Sequence, residues 1–184
     1  MLVHAARHQK SESFTLVAEL RDLLESLDPT MRQRAARVGV PLVDMEFSNT
    51  AVWHPARIHT FQRIRTPIWA GSFPRTSAIQ LARRTLLLAW NSLQSDPATS
   101  PVLLGMTAPV AEVVAKLTLE EIDHIAQKRF RYVRPRWDDR PAVWRRLLLA
   151  AQTGDEGLMC QFQWYALQLL AGEFIPGRRT ERTK

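Results

Sequence analysis

Segment 75–94, Arg-Thr-Ser-Ala-Ile-Gln-Leu-Ala-Arg-Arg-Thr-Leu-Leu-Leu-Ala-Trp-Asn-Ser-Leu-Gln, constrains the fold more than any other part of the chain. Its apolar residues recur with helical period, placing Ile79, Ala82, Leu86, Ala89, Trp90 and Leu93 on one broad stripe. Leu87 and Leu88 carry apolarity round to a second side, and Asp96-Pro97 ends the run. A helix apolar on more than one side needs burial between two partners. The expectation is therefore a helical core in which this segment also pairs subunits.

The surrounding pattern is helical too. Phe14, Val17, Leu20, Leu23, Leu24 and Leu27 form a 3.6-period stripe over 12–27. Asp28-Pro29 can cap and open a short second helix that Gly39 and Pro41 end. From Pro41 to Pro74 the pattern weakens: Val43, Met45 and Phe47 alternate like a short strand, with a short helix expected over 55–64. Thr107 with Pro109 can start a helix running to Lys116. Thr118 and Glu121 have capping-box spacing for another, running to Gln127. These two resemble a helix-turn-helix in spacing. Glu120, Glu121 and Asp123 on the second would repel phosphate, however, so its expected role is packing through Leu119, Ile122, Ile125 and Ala126. Asp138 or Asp139 then caps a helix that Gly154 ends, and a last helix follows over 155–171.

The charge is unusual. The 184 residues carry a formal +7, with 21 arginines against four lysines. Arginine's planar fork suits phosphate or a guanine edge better than lysine's point charge does. Between Asn49 and Ser95 there is no Asp or Glu, yet Arg57, Arg63, Arg65, Arg75, Arg83 and Arg84 all fall there. Further on, Lys128, Arg129, Arg131, Arg134 and Arg136 interleave with Phe130, Tyr132, Val133 and Trp137. Read as a strand, 128–137 has no cleanly apolar face and would leave arginines on a surface beside rings. Both features point to a polyanion such as double-stranded DNA.

Catalytic chemistry is not visible. His4, His8, His54, His59 and His124 are scattered, and the single Cys160 completes no zinc-ligand pattern. No glycine-rich phosphate loop or nucleophile elbow occurs. The expectation is a non-enzyme without cofactor, metal or small-molecule substrate. A lone cysteine, no eighteen-residue apolar run and no signal-like h-region fit the cytoplasm and no membrane. Of the six tryptophans, Trp90, Trp144 and Trp164 lie on apolar helical stripes and are expected in cores or interfaces. Of the other three, Trp137 and Trp53 are the ones given a partner role.

Residues Leu86-Leu-Leu-Ala-Trp-Asn-Ser-Leu-Gln94, Leu104-Gly105-Met106, Val110-Ala-Glu-Val-Val-Ala-Lys-Leu-Thr-Leu119, Ile125-Ala126 and Arg134-Pro-Arg-Trp-Asp138 together resemble the FlhD subunit of the bacterial flagellar master regulator. The likeness holds in order and spacing from Leu86 to Asp138. It implies an all-helical dimerising core and a hetero-oligomer with an FlhC-like subunit, acting as a transcriptional activator on promoter DNA. Flagellar genes would be the targets, or transfer genes in relatives on conjugative elements. It also implies that the family's intersubunit cysteine falls at Val133, so that disulfide is absent.

The expected fold is thus mainly α: an FlhD-like helical dimerising core over 75–172 with a short β segment. A basic N-terminal extension, 1–74, precedes it, and a basic disordered tail, 173–184, follows. Arg57, Arg63, Arg65, Lys128, Arg129, Arg131, Arg134 and Arg136 are the expected phosphate contacts. Ile79, Ala82, Leu86, Ala89, Trp90 and Leu93 are the expected dimer interface. The competing reading is a helical adaptor or anti-activator whose arginines meet an acidic protein without touching DNA.

Overall fold

A computed structural model describes residues 2–3, 6, 15–55 and 74–173. The fold is mainly α-helical, with one short antiparallel ladder among the described residues. In order come α1 (Thr15–Ser26), α2 (Pro29–Ala36), β1 (Val43–Asp44), α3 (Arg75–Ser95), α4 (Ser100–Leu104) and α5 (Ala108–Ala115). Then follow α6 (Leu119–Arg129), a 3-10 turn (Phe130–Tyr132), β2 (Arg134–Pro135), α7 (Pro141–Thr153) and α8 (Glu156–Glu173). The helix expected over 55–64 lies outside the described residues beyond Pro55.

Local chemistry explains the boundaries. The Asp28 carboxylate accepts from the Met31 amide at 2.7 Å, and Pro29 sits in the first turn of α2. Thr118 and Glu121 form the reciprocal capping box at the head of α6. Glu120 and Glu121 occupy its first turn and Lys128 and Arg129 its last, so the side-chain charges oppose the helix dipole at both ends. That match carries α6 two residues past the expected stop at Gln127. Gly105 and Gly154 end α4 and α7 in the left-handed region, with φ of 67° and 69°. Two caps differ from expectation. Thr107 occupies the N-cap of α5, but its hydroxyl makes no capping bond and is buried without a partner. Neither Asp138 nor Asp139 is the N-cap of α7; Arg140 holds that position, with Pro141 opening the helix.

The segment 128–137 is not one strand. Lys128 and Arg129 finish α6, residues 130–132 make a 3-10 turn, and Arg134–Pro135 alone pair with β1. The register sets Val43 opposite Pro135 and Asp44 opposite Arg134. Pro135 has no amide to donate, which suits a ladder this short.

Two apolar cores result. One joins Leu16, Leu20 and Leu24 of α1 to Val143, Leu147 and Ala151 of α7 and to Phe162, Ala166 and Leu170 of α8. The other gathers Met45, Phe47 and Trp53 with one face of α3 and with α4, α5 and α6. The expected boundary at 74/75 does not separate them. Residues 15–40 complete the core of the C-terminal helices, and 43–53 complete that of the central ones. The physical reason is pairwise: the stripes of α1 and α7 are each one-sided, so each needs the other. The ladder ties the cores together, with the Arg136 amide donating to the Leu42 carbonyl at 2.9 Å and the Trp144 indole to the Arg136 carbonyl at 2.7 Å.

The face of α3 expected to join two subunits lies inside this second core. Ala82, Leu86 and Ala89 are fully buried and Leu93 nearly so, with Ile79 and Trp90 packed half-buried beside them. Its partner is α6, running antiparallel: Arg83 pairs with Asp123, and Gln94 donates to the Ala115 carbonyl just before α6. The chain supplies this stripe's cover from its own later helices.

Candidate nucleic-acid interface

The basic residues of 128–136 divide into an inward set and an outward set. Arg129 is the last residue of α6 and is 1% exposed. It donates to the Val52 carbonyl at 2.6 Å and lies 5.8 Å from the Trp53 ring and 5.6 Å from the Tyr132 ring. Burial pulls its guanidinium below the ordinary arginine value, against the opposing influence of Tyr132. Burial likewise pushes the Tyr132 phenol up.

Arg134 reaches Asp44 at 3.1 Å through Nε and Glu46 at 3.0 Å through Nη1. Burial alone would lower its pKa, but the Asp44, Glu46 and Asp138 carboxylates outweigh that and raise it. Arg136 is buried and donates to the Leu103 carbonyl at 3.2 Å and to the Leu104 carbonyl, the last acceptors of α4. A cation at a helix C-terminus satisfies carbonyls that the helix itself cannot.

In this conformation, then, Arg129, Arg134 and Arg136 face protein acceptors. The reason recurs across the molecule: Arg21 donates to the Ala6 carbonyl, Arg32 to Leu27, Arg34 to Ala151 and Arg145 to Glu19. A flat, weakly hydrated fork with five donors suits this task where an ammonium does not. Part of the arginine excess over lysine is therefore internal fastening.

Gly105 shows how closely one such fork is held. A Cβ there would lie 2.9 Å from Arg136 Nη2, and the residue's φ of 67° disfavours any L side chain. Gly105→Ala is expected to cost about 1–2 kcal/mol from the left-handed backbone, with more if the Arg136 fork is displaced. Urea unfolding of the variant beside the wild type measures it.

The outward set is Lys128 and Arg131, both exposed. Arg131 lies 5.8 Å from the Phe130 ring centroid, and Arg75, the first residue of α3, lies 5.6 Å from the same ring. Because α3 and α6 run antiparallel, the head of one and the tail of the other form a single corner carrying Arg75, Lys128 and Arg131. Arg75 belongs to the acid-free window, but nothing local in the sequence pairs it with Phe130, 55 residues on. The same corner receives both described flanks of 56–73: Val52 and Trp53 contact Arg129, and Arg75 contacts Phe130. Arg57, Arg63 and Arg65 lie outside the described residues.

Charge is partitioned accordingly. The described residues hold sixteen Lys and Arg against sixteen Asp and Glu. The whole formal +7 belongs to the remainder, including Arg57, Arg63 and Arg65 in 56–73 and four cations against Glu181 in 174–184.

The tryptophans also redistribute. Trp53 and Trp137, left for a partner on sequence grounds, are 1% and 6% exposed. Trp144 is buried as expected, whereas Trp164 is 65% exposed. Trp137 also holds φ of 54°, a strained conformation for a large side chain, between the Arg136 fork and the start of α7.

Among the described residues, no group of three His, Cys, Asp or Glu could hold a metal ion. No described helix is long and apolar enough to cross a membrane. No family model, curated protein or solved structure matches the chain.

Proposed function

We propose that this protein is a DNA-binding subunit of a transcriptional regulator, holding double-stranded DNA by its phosphates beside an FlhC-like subunit that reads sequence. The observation that carries this reading is the pair Arg75 and Arg131 against the Phe130 ring, with exposed Lys128 two residues before it, where both flanks of an acid-free arginine segment pack. Three cations at one edge, on the ends of two packed helices, match a phosphate run better than a base edge. Such contacts orient a duplex without specifying its sequence, and specificity is left to the partner. The FlhD-like pattern is the support for a regulator with an FlhC-like partner.

The test is fluorescence anisotropy of the full chain with a duplex of arbitrary sequence, titrated across salt. Affinity should fall steeply with ionic strength. Changing Arg75, Lys128 and Arg131 together to alanine should flatten the log–log slope by about 2–3, at about 0.9 for each phosphate no longer neutralised. Salt-indifferent binding, or an unchanged slope in the triple variant, overturns the reading. The adaptor alternative draws on one observation, that the described body is charge-balanced and turns three of its most suggestive arginines inward.

A further inference from the structure

Charge changes sign along the α3–α6 pair. Three contacts fix how the two helices lie: Arg75 beside the Phe130 ring at 5.6 Å, Arg83 with Asp123, and Gln94 donating to the Ala115 carbonyl at 2.7 Å. The head of α3 therefore runs beside the tail of α6. Apart from the paired Arg83 and Asp123, the exposed charges toward that end are Arg75 and Arg84 on α3 and Lys128 and Arg131 across from them. Exposed acids of the pair come only toward the other end, with Glu120 at the head of α6 and Asp96 past the tail of α3. The 21 residues of α3 hold no Asp or Glu, and its first residue is a cation at the positive end of the helix dipole. Opposite its buried Ala78, Ala82 and Leu86 runs an exposed stripe of Ser77, Gln80 and Arg84, at spacings of three and four. The Arg83–Asp123 pair puts α6 to one side of that stripe.

We propose that this stripe enters the major groove of the duplex and reads base edges, with Gln80 and Arg84 as the reading side chains. The inference rests on the DNA reading above and goes beyond it. The corner's cations choose no sequence, but the helix that carries Arg75 takes a share in choosing it beside the partner. Residue type and place together select the occupant. A carboxamide presents a donor and an acceptor side by side, matching adenine N6 and N7, and a guanidinium matches guanine N7 and O6. Duplex DNA combines a charged rim with an uncharged, hydrogen-bonding floor. An acidic protein would meet the cations but offers no such floor to Gln80. The dimensions agree. One helix, about 10–12 Å across with its side chains, fits a groove about 12 Å wide, and a packed neighbour about 8–10 Å away falls over one phosphate strand. That neighbour is α6, whose tail carries Lys128 and Arg131. Its own acids keep it out of the groove, in the packing role. Ser77 to Arg84 spans about 10 Å, the rise of about three base pairs. Further along, Glu120 and Asp96 would repel phosphates, so the duplex is held to the head of α3.

Selection from a randomised duplex library by the full chain alone, followed by sequencing, tests this. A motif of about three base pairs should be enriched. Gln80→Ala should erase the preference at one position of that motif and weaken the enriched duplex about tenfold, the 1.4 kcal/mol scale of one bidentate pair. Its binding to random duplex, and the salt slope of that binding, should stay at the wild-type values, because no charge is removed. Arg84→Ala should erase the preference at a neighbouring position and decides the question if the first variant misfolds. Asn91→Ala, exposed on the same side of α3 but nearer the acids, should change neither preference. All three positions are exposed, so circular dichroism should match the wild type's. Failure to retain any duplex sinks the DNA reading and this inference with it. Duplex retained without an enriched motif, or a motif that Gln80→Ala and Arg84→Ala both leave unchanged, overturns base reading alone. A uniform loss with a flatter slope for Arg84→Ala assigns that side chain to a phosphate and overturns its reading role.

Discussion

Replacing Arg134 with methionine is expected to destabilise the protein by about 3–5 kcal/mol. The ladder register puts Arg134 opposite Asp44, and Glu46, in the left-handed region at φ 58°, carries its carboxylate back to the same guanidinium. All three side chains are less than 20% exposed, at 18%, 11% and 17%. The wild type balances one cation between two anions. Methionine fills similar space but leaves two like charges adjacent and mostly out of water, which is costly even though the bridge itself adds little net stability. For a chain of this size, each kcal/mol lowers Tm by about 2–4 °C. The loss should be nearly independent of added salt, because partly buried pairs are poorly screened. Asp44→Asn and Glu46→Gln in the methionine background should recover most of it. The carboxylates are then gone, and the new side-chain amide at position 44 keeps an oxygen for the Phe47 amide, from which Asp44 now accepts at 3.3 Å. Denaturant unfolding of the four proteins measures the cycle. A loss below about 1 kcal/mol for Arg134→Met would mean that water replaces the guanidinium.

What is legible in the sequence follows the range of the forces involved. The Asp28 cap, the Thr118–Glu121 box and the glycine stop at 154 are contacts within four residues, and they fall where expected. The mainly α class follows from the same local periodicity. The cover over the α3 stripe is not legible, because periodicity shows that a face is apolar without showing whose atoms cover it. Many of the residues that carry the FlhD-like pattern, among them Leu86, Ala89, Leu93, Leu104, Val110, Val114, Ile125 and Ala126, are buried positions of one core, while Leu88 and Leu119 are exposed. The pattern is thus a packing pattern, and DNA contact has to be argued from other residues.

The arginines mislead for a different reason. Composition treats a guanidinium as surface, but Arg134 meets Asp44 from 90 residues away and Arg129 meets Val52 from 77. Neither separation leaves a local trace. Trp164 is the converse: its neighbours Phe162 and Tyr165 do pack inward, so in the local pattern Trp164 looks like core.

Arg129→Ala should cost about 3 kcal/mol or more and should separate two roles that its neighbours make easy to confuse. Truncation leaves the Val52 carbonyl buried without its donor, worth about 1–3 kcal/mol, and opens a void between Trp53 and Tyr132 that adds to the loss. Arg129→Lys should recover less than half: an ammonium keeps the charge, but it is more strongly hydrated and cannot lie flat between two rings. DNA binding provides the contrast. If Arg129 acts as a fastener, its alanine variant, studied below its own Tm, should keep the wild-type dependence of affinity on salt. Lys128→Ala and Arg131→Ala, one residue before and two after, should each flatten that slope by about 0.9 and move Tm little. The result that would reverse this assignment is a flattened slope for Arg129→Ala at unchanged Tm, which would require the guanidinium to leave Val52 and reach solvent when DNA is bound.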